Sequence, residues 1–308
     1  MQFPYITPEK RLARLSFPKR KVRIVIDTDT YNEIDDQFAV SYALLSPEQM
    51  TVEAIYAAPF YNDRSSSPAD GMEKSYQEIL RLLDRLNVAS DGFVFKGSTH
   101  YLTSELIPQD NDAVRDLIDK AMASPDDDPL YVVAIGAITN IASAILIEPE
   151  IIKKIVVVWL GGHALHWHHT VEFNLRQDVP SARLVLDSGV PFVLIPCAGV
   201  TSHLITTLTE INTYMRGKSP IGDYLAKTFE EYKSDQYGNS NVIWDISTIA
   251  WLVNPDWVPT DIVHSPILTD QVTWSVDQSR HFIRAATFVH RDPIFRDLFK
   301  KLEKSGKD

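Results

Sequence analysis

Carboxylate side chains are concentrated in one short stretch, residues 25–40, which reads VIDTDTYNEIDDQFAV. Five of them follow an apolar run within ten residues: Asp27, Asp29, Glu33, Asp35 and Asp36. The positive end of a helix beginning near Asp35 favours each acid by only about 0.3–1 kcal/mol, which does not offset the repulsion among five. A solvated acidic loop is the simplest explanation of a charge run, but such loops do not normally separate a buried strand from an apolar helix. Because Ca²⁺ and Mg²⁺ bind carboxylate and carbonyl oxygens, the stretch predicts a site for a hard divalent cation.

The sequence around this stretch alternates between short β-branched runs and helical patterns. The predicted strands are 21–27, 50–58, 93–98, 129–136, 154–162 and 190–196. The predicted helices between them are 34–46, 71–86, 112–124, 138–149 and 180–189. Beyond residue 200 the pattern loosens, and it predicts helices at 219–233 and 240–255 and a strand at 272–277. Alternation of this kind predicts an α/β fold with an open, mostly parallel sheet and helices on both faces.

The acidic stretch lies where such a sheet binds its ligands. Ligands of open parallel sheets lie beyond the carboxyl ends of the strands, and the stretch follows the first predicted strand. The loops after Ala58, Gly136 and Gly162 follow other strands in the same way, so we expect them near the acids. The sequence has no internal repeat, low-complexity tract or linker, and residues 1–308 are predicted to form a single domain.

The overall composition limits the classes of partner. The formal net charge of −11 disfavours nucleic acid and anionic membranes, because no basic field offsets phosphate repulsion. The single cysteine, Cys197, lies in the apolar run VPFVLIPC and is predicted to be a buried small residue rather than a nucleophile. The N-terminus has no apolar signal region, and no uninterrupted apolar stretch is long enough to span a bilayer, so the cytoplasm is the expected location.

A phosphatase is one alternative. An apolar strand that ends in D-x-D resembles the haloacid-dehalogenase-type phosphatases, in which the first Asp is a nucleophile and the second an acid or base. Their pattern has Thr or Val at the fifth position, where this chain has Tyr31, and Asp35 and Asp36 are too close to be their distal acidic pair. This alternative, with Asp27 or Asp29 as nucleophile, is the less favoured one.

Four ordered blocks carry a more specific resemblance. Asp27-Thr28-Asp29 followed by Ile34-Asp35-Asp36 resembles the DxDPGxDDxxA signature of the inosine/uridine-preferring nucleoside hydrolases. AIGAITNIA (134–142) resembles the family's GPLTNIA turn, and LGGHALHWHHTVEFNLRQDVPSA (160–182) resembles its GG…EFN…DPxAA segment. WDISTIAWL (244–252) resembles its late HD-x-x-A helix, and FKGS (95–98) matches a short family strand. The resemblance implies hydrolysis of the N-glycosidic bond of a ribonucleoside or related N-riboside, giving ribose and free base.

The resemblance also implies roles for particular residues. It implies Ca²⁺, with Mg²⁺ less favoured, at the floor of a pocket that binds the ribose 2′- and 3′-hydroxyls. The implied cation ligands are Asp29, Asp36, Asp245 and the backbone carbonyl of Ile135, and Asp29 is also the implied general base. The implied sugar contacts are Asp35, Asn62, Glu172 and Asn174. Homodimers or homotetramers are implied as well.

The chain departs from the family pattern in two places. Residues 30–34 are two residues longer than the family's Pro-Gly-x, so that either Asn32 or Glu33 enters the site or Glu33 only caps the following helix. Trp244 stands where many members have a His that protonates the leaving base, and it either stacks on a nucleobase or packs in the core.

Another residue must then donate the proton to the leaving base. The candidates are the loop histidines and one later histidine: His163, His166, His168, His169 and His203. A histidine pKa near 6.5 suits that role. Two alternatives remain open for this region and for the chain. The histidines could form a separate transition-metal site or simply a surface loop, and the whole chain could bind Ca²⁺ and ribose without turnover.

Overall fold

The computed structural model describes residues 3–306, and its centre is an eight-stranded sheet with the order β3-β2-β1-β4-β5-β6-β12-β9. All neighbouring strands run parallel except β12 and β9, which run antiparallel. The sheet strands are β1 Val22–Thr28, β2 Met50–Ala57, β3 Val94–Lys96, β4 Leu130–Ala134, β5 Ile155–Leu160, β6 Phe192–Ile195, β9 Thr260–His264 and β12 Phe282–Ala286. Two small antiparallel pairs lie outside it: β7 Ile205–Thr206 with β8 Asn241–Val242, and β10 Ile267–Leu268 with β11 Trp274–Ser275.

Helices connect these strands and cover the sheet. The α-helices are α1 Pro8–Leu15, α2 Asp35–Leu44, α3 Pro68–Arg85, α4 Asp112–Ala123, α5 Thr139–Ile147, α6 Phe173–Gln177, α7 Val179–Ser188, α8 Leu208–Tyr214, α9 Pro220–Tyr232, α10 Ile246–Val253 and α11 Arg291–Lys304. None of the helices among the described residues is long and apolar enough to cross a membrane.

The strands are buried on both faces, which explains their near-continuous apolar sequences. In β1, Ile24 and Ile26 belong to one apolar cluster, and Val25 belongs to the cluster on the opposite face. Successive side chains of a strand point to opposite faces, so β1 contributes to two cores at once. The predicted α/β fold with helices on both faces is therefore confirmed.

Beyond residue 200 the sequence prediction was partly wrong. The predicted helix 240–255 begins only at Ile246, because Asn241–Val242 pair with Ile205–Thr206 as strands. The predicted strand 272–277 is reduced to Trp274–Ser275. The strands β7, β9, β10 and β12 and the helices α1, α6, α8 and α11 were not predicted from the sequence.

Candidate active site

Three carboxylates meet at the carboxyl end of the sheet. Asp35 and Asp36 occupy the first turn of α2, and Asp245 immediately precedes α10. The two helices pack against each other, which brings their N-terminal ends together. One carboxylate oxygen from each of the three acids lies within 4.8 Å of the others, and all three side chains are buried. This arrangement offers a divalent cation several oxygen ligands at one point.

Asp29 lies beside this cluster, at the end of β1. Its side chain is fully buried, and neither carboxylate oxygen has a hydrogen-bond partner among the described residues. A β-carbon added at Gly136, just after β4, would stand 3.1 Å from the Asp29 Cγ atom, so a glycine allows the close approach of these two strand ends. A buried carboxylate without a partner is costly, and a bound cation or ligand would satisfy it.

Burial and mutual repulsion raise the pKa of every acid in this group. Burial is the largest cause for Asp29, Asp35 and Asp245, and the neighbouring carboxylates add to it. Burial raises the pKa of Asp36 to about 7, although Asp36 accepts a 2.6 Å hydrogen bond from the Thr28 hydroxyl. Opposite charge favours the ionised form of a carboxylate, so these acids fit a cation-binding site.

A cavity of about 240 Å³ opens above the acids. Its lining includes predicted site residues and others that the sequence did not single out as part of the site. The lining residues are Asn32, Glu33, Asp35, Asp36, Ile135, Leu160, His163, Val171, Glu172, Phe173, Asn174, Cys197, Ala198, Trp244 and Asp245. The apolar part of the wall could not be recognised from the sequence, because residues of these types occur throughout the core. It consists of Leu160, Val171, Phe173 and Ala198. Cys197 is buried as predicted, and it also lines this cavity.

Glu172 and Asn174 form one wall of the cavity through a fixed local geometry. Glu172 caps α6, and its carboxylate accepts hydrogen bonds from the backbone N–H groups of Gly162, Asn174 and Leu175. The Asn174 amide nitrogen donates to the carbonyls of Ile135 (3.2 Å) and Leu160 (3.1 Å). Both protons of that amide are used, so Asn174 presents its side-chain oxygen as an acceptor.

Trp244 fits both predicted alternatives. Its side chain lines the cavity and also packs partly against the main apolar cluster. Its backbone N–H donates a 3.1 Å hydrogen bond to the Asp35 carboxylate, which ties the start of α10 to α2.

The candidate histidines separate into different places. Only His163 lines the cavity; its Nδ1 atom accepts a 3.2 Å hydrogen bond from the Ala198 N–H, so the proton of the neutral ring stands on Nε2. Burial lowers the pKa of His163, with its neighbour His169 as a second cause. His166 and His168 are exposed, and neither they nor His169 line the cavity.

His203 also lies outside the cavity lining, because its Nε2 atom is 2.6 Å from the Val289 carbonyl and its ring stacks on Phe288. Within residues 3–306, the only His, Cys, Asp or Glu group with metal-holding geometry is the acidic one, so a separate histidine metal site gains no support.

The longer loop at residues 30–34 enters the site. Asn32 and Glu33 both line the cavity, and Glu33 does not cap α2, whose N-cap Ile34 has no side-chain cap hydrogen bond. Asn62, a predicted ribose contact, does not line the cavity; its amide nitrogen donates to Asn32 Oδ1 at 2.6 Å. The insertion therefore places Asn32 between Asn62 and the cavity.

The phosphatase alternative meets a structural obstacle. Asp27 is completely buried, accepts a 2.7 Å hydrogen bond from the Asn140 amide, and does not line the cavity. The Asp27 carboxylate is therefore not placed to attack a phosphate ester. Asp29 is equally buried and is also absent from the cavity lining, but it lies beside the acidic cluster and has no hydrogen-bond partner among the described residues.

Comparison with known proteins decides the family. The sequence pattern described as "Inosine-uridine preferring nucleoside hydrolase" matches residues 24–301. The chain belongs to this family. Among similar proteins, the pyrimidine-specific ribonucleoside hydrolase RihA of Escherichia coli O9:H4 is 28% identical over 267 residues, which cover 77% of this chain and 81% of that protein.

Solved structures share the fold. A purine-preferring ribonucleoside hydrolase from Gardnerella vaginalis superimposes with a TM-score of 0.75 at 23% identity, covering 92% of this chain and 98% of that one. A plant nucleoside hydrolase gives a TM-score of 0.73 at 20% identity, covering 92% of this chain and 99% of that one. The predicted family and fold are thus confirmed.

Membership in the family also gives the reaction. The chain is an enzyme that hydrolyses the N-glycosidic bond of a ribonucleoside, as the family resemblance implied. The family is of a metal-dependent type, and the buried acidic cluster supplies a donor set suited to a metal ion. Neither the phosphatase nor the binding protein without turnover is supported.

Proposed function

We propose that the chain is a Ca²⁺-dependent ribohydrolase that acts on a pyrimidine ribonucleoside. The observation that carries the cation dependence is the buried cluster of Asp35, Asp36 and Asp245 beside the unpartnered carboxylate of Asp29. The pyrimidine preference is supported by the name of the relative from Escherichia coli, a pyrimidine-specific enzyme. We further propose that residues 1–308 work as one domain, as a homodimer or homotetramer in the cytoplasm.

The cation would be held by Asp29, Asp36, Asp245 and the carbonyl of Ile135. Hard oxygen ligands of this kind suit Ca²⁺, with Mg²⁺ as the less favoured ion. When bound, the cation would lower the pKa of a water and neutralise part of the carboxylate repulsion. Asp35 and the Asn174 side-chain oxygen would accept hydrogen bonds from ribose hydroxyls, and Glu172 would complete that wall.

Asp29 would accept the proton of the attacking water. Its carboxylate is free of hydrogen bonds from described residues, so it can take that proton without breaking an existing bond. Departure of the base leaves an oxocarbenium-like sugar, and the carboxylates at the cavity floor would stabilise its positive charge.

The leaving base would be met by His163 and Trp244. The Nε2–H group of His163 is the donor of that ring, because Nδ1 already accepts from Ala198. We assign His163 the role of leaving-group donor. Trp244 would offer an aromatic face to the base.

The first test measures release of reducing sugar from purine and pyrimidine ribonucleosides, with added Ca²⁺, with a chelator, and with Asp29→Asn. We expect uridine or cytidine to be cleaved fastest, and turnover to fall at least about 100-fold with Asp29→Asn, because a general base contributes about 10²–10⁴-fold.

Asp91→Asn is the matched control, since Asp91 is exposed and remote from the cavity lining. Full activity in chelator would overturn the cation dependence, and equal loss in both variants would remove the role of Asp29. Faster cleavage of inosine than of uridine would overturn the pyrimidine preference.

A further inference from the structure

The inserted loop is held in place by a dedicated set of contacts. The Arg64 guanidinium donates to the carbonyl of Glu33 (3.1 Å) and lies 4.3 Å from the centre of the Tyr31 ring. The Lys74 ammonium in turn donates to the Arg64 carbonyl (2.8 Å). An insertion that only lengthened a surface turn would not need these contacts, which fix Asn32 and Glu33 in the cavity wall.

The same contacts determine which way the Asn32 amide faces. The Arg64 N–H donates to Asn62 Oδ1 at 2.8 Å, so the other end of the Asn62 amide must be its nitrogen. That nitrogen donates to Asn32 Oδ1 at 2.6 Å. The Asn32 amide nitrogen makes no hydrogen bond with residues 3–306, and Asn32 lines the cavity. Asn32 therefore presents a hydrogen-bond donor to a ligand.

Glu33 presents an acceptor next to that donor. Its side chain is half-buried and lines the cavity, and its carboxylate forms no hydrogen bond or ion pair within the described part of the chain. By contrast, Asp36 accepts from Thr28, Asp35 accepts from Trp244, and Glu172 accepts from backbone N–H groups. Among the lining carboxylates of the described chain, only Asp245 likewise lacks a side-chain hydrogen bond, and the proposed function assigns Asp245 to the cation, so Glu33 remains available to another ligand.

Asn32 and Glu33 line the same cavity as the acidic cluster of Asp35, Asp36 and Asp245, and the electrostatic influence of Glu33 on these acids agrees with that placement. Among charged neighbours, Glu33 is the largest cause of the raised pKa of Asp35, after burial itself. It also contributes to the raised pKa of Asp36. Its influence on Glu172 ranks last among the causes there. These acids define the end of the cavity where the proposed function binds the sugar.

We propose that Asn32 and Glu33 together bind one hydroxyl group of the ribose. The Asn32 amide N–H donates to the hydroxyl oxygen, and the hydroxyl proton is donated to the Glu33 carboxylate. A hydroxyl has both a donor and acceptor lone pairs, so a single group satisfies both residues. This inference rests on the proposed function, and it makes the insertion a determinant of sugar specificity.

The test compares uridine with its 2′-, 3′- and 5′-deoxy analogues on wild type, Asn32→Ala and Glu33→Ala, using kcat/KM. We expect each variant to lose about 10- to 100-fold on uridine, because the remaining partner of a buried hydrogen bond is left unpaired. On the one analogue that lacks the contacted hydroxyl, both variants should match wild type. Glu33→Gln, which keeps an acceptor oxygen, should recover part of the loss.

The comparison across substrates separates this role from a structural one. A general loss of fold or of cation affinity would lower kcat/KM for all four substrates by the same factor, and that result would overturn the inference. Asp63→Ala serves as the control, because Asp63 is exposed on the neighbouring loop and outside the cavity lining.

A binding measurement separates failure of this inference from failure of the proposed function. If wild type cleaves no nucleoside, calorimetry would measure binding of ribose and of 2-, 3- and 5-deoxyribose to wild type and Glu33→Ala in Ca²⁺. A lower affinity of the variant for ribose, but not for one deoxy sugar, supports the inference. Equal affinities of the two proteins for all four sugars overturn it.

Discussion

The two ends of strands β1 and β4 both carry charged clusters, but these clusters differ in pairing and burial. At the amino end, a surface cleft is lined by basic residues of the N-terminal segment and by Asp126, Asp127 and Asp128. There the Arg20 guanidinium is 3.1 Å from the Asp128 carboxylate, and the Lys154 ammonium is 2.6 Å from that of Asp126. At the carboxyl end, Asp35, Asp36 and Asp245 are buried together, and none of them forms an ion pair with a basic side chain of residues 3–306.

The difference separates charges that serve solubility and local structure from charges that serve a ligand. Exposed pairs contribute little to stability and are easily replaced. Buried like charges reduce stability unless a ligand compensates for them, so a chain retains them for binding or catalysis. Three tests would break or sharpen this contrast, and they are ordered by the size of the expected effect.

Asp245→Asn should have the largest effect, with opposite signs on activity and stability. We expect turnover in Ca²⁺ to fall by about 10²–10⁴-fold, as one buried anionic group of the cation site is lost. Without added cation, the free energy of unfolding at pH 8 should rise by about 1–3 kcal/mol, because a buried repulsive charge is removed.

The pH dependence of that stabilisation gives a check of its cause. Burial and neighbouring acids hold the pKa of Asp245 well above its ordinary value of 3.8 in the folded protein. The folded state therefore binds a proton that the unfolded chain releases, and wild-type stability falls as pH rises above about 4. The advantage of the variant should be greatest at pH 8 and vanish near pH 4 in urea titrations. A variant less stable than wild type at pH 8 would contradict this account.

His163→Ala should have an intermediate effect that depends on the leaving group. We expect a roughly 100-fold loss of kcat on uridine, at the low end of general acid catalysis. On p-nitrophenyl riboside, whose leaving group needs no proton, kcat should change by less than about threefold. His168→Ala, an exposed neighbour outside the cavity lining, is the control. Equal losses on both substrates would show that His163 acts through structure alone.

The Arg20–Asp128 pair at the opposite end should have the smallest effect. Its side chains are 56% and 30% exposed. A double-mutant cycle of Arg20→Ala and Asp128→Ala should give a coupling energy below about 1 kcal/mol, with turnover unchanged. A coupling energy above about 2 kcal/mol, or a loss of activity, would remove the contrast between the two ends.

The sequence predicted best those parts whose burial is uniform. β1, β4 and β5 are buried over nearly their whole length, and their aliphatic runs leave no other interpretation. β9 and β12 have mixed exposure and no continuous aliphatic run, so the local pattern could not identify them. Helix α10, which contains most of the block WDISTIAWL, begins only at Ile246. Asn241 and Val242, which precede it, instead pair with strand β7.

The same distinction holds within the site. Family motifs indicated Asp36, Asp245 and Ile135, and the structure brings all three to the cavity. The place of Asn62 could not be predicted, because it depends on a backbone N–H two residues later in a loop of different length. The motifs also could not show that His163 lines the cavity and His203 does not. That difference depends on the contact between His203 and the Val289 carbonyl, which forms only in the folded chain.

The two outer strands of the sheet bear on how copies of this chain can associate. An open strand edge is a template on which another chain can add a strand. Here β3 has only three residues, and β9 carries Asp261 on an exposed stretch of the antiparallel edge. Neither edge offers a long apolar template, so continuous sheets running from one copy into the next are disfavoured. Assembly into dimers or tetramers would therefore use helix and loop surfaces, and each copy would keep its own complete sheet.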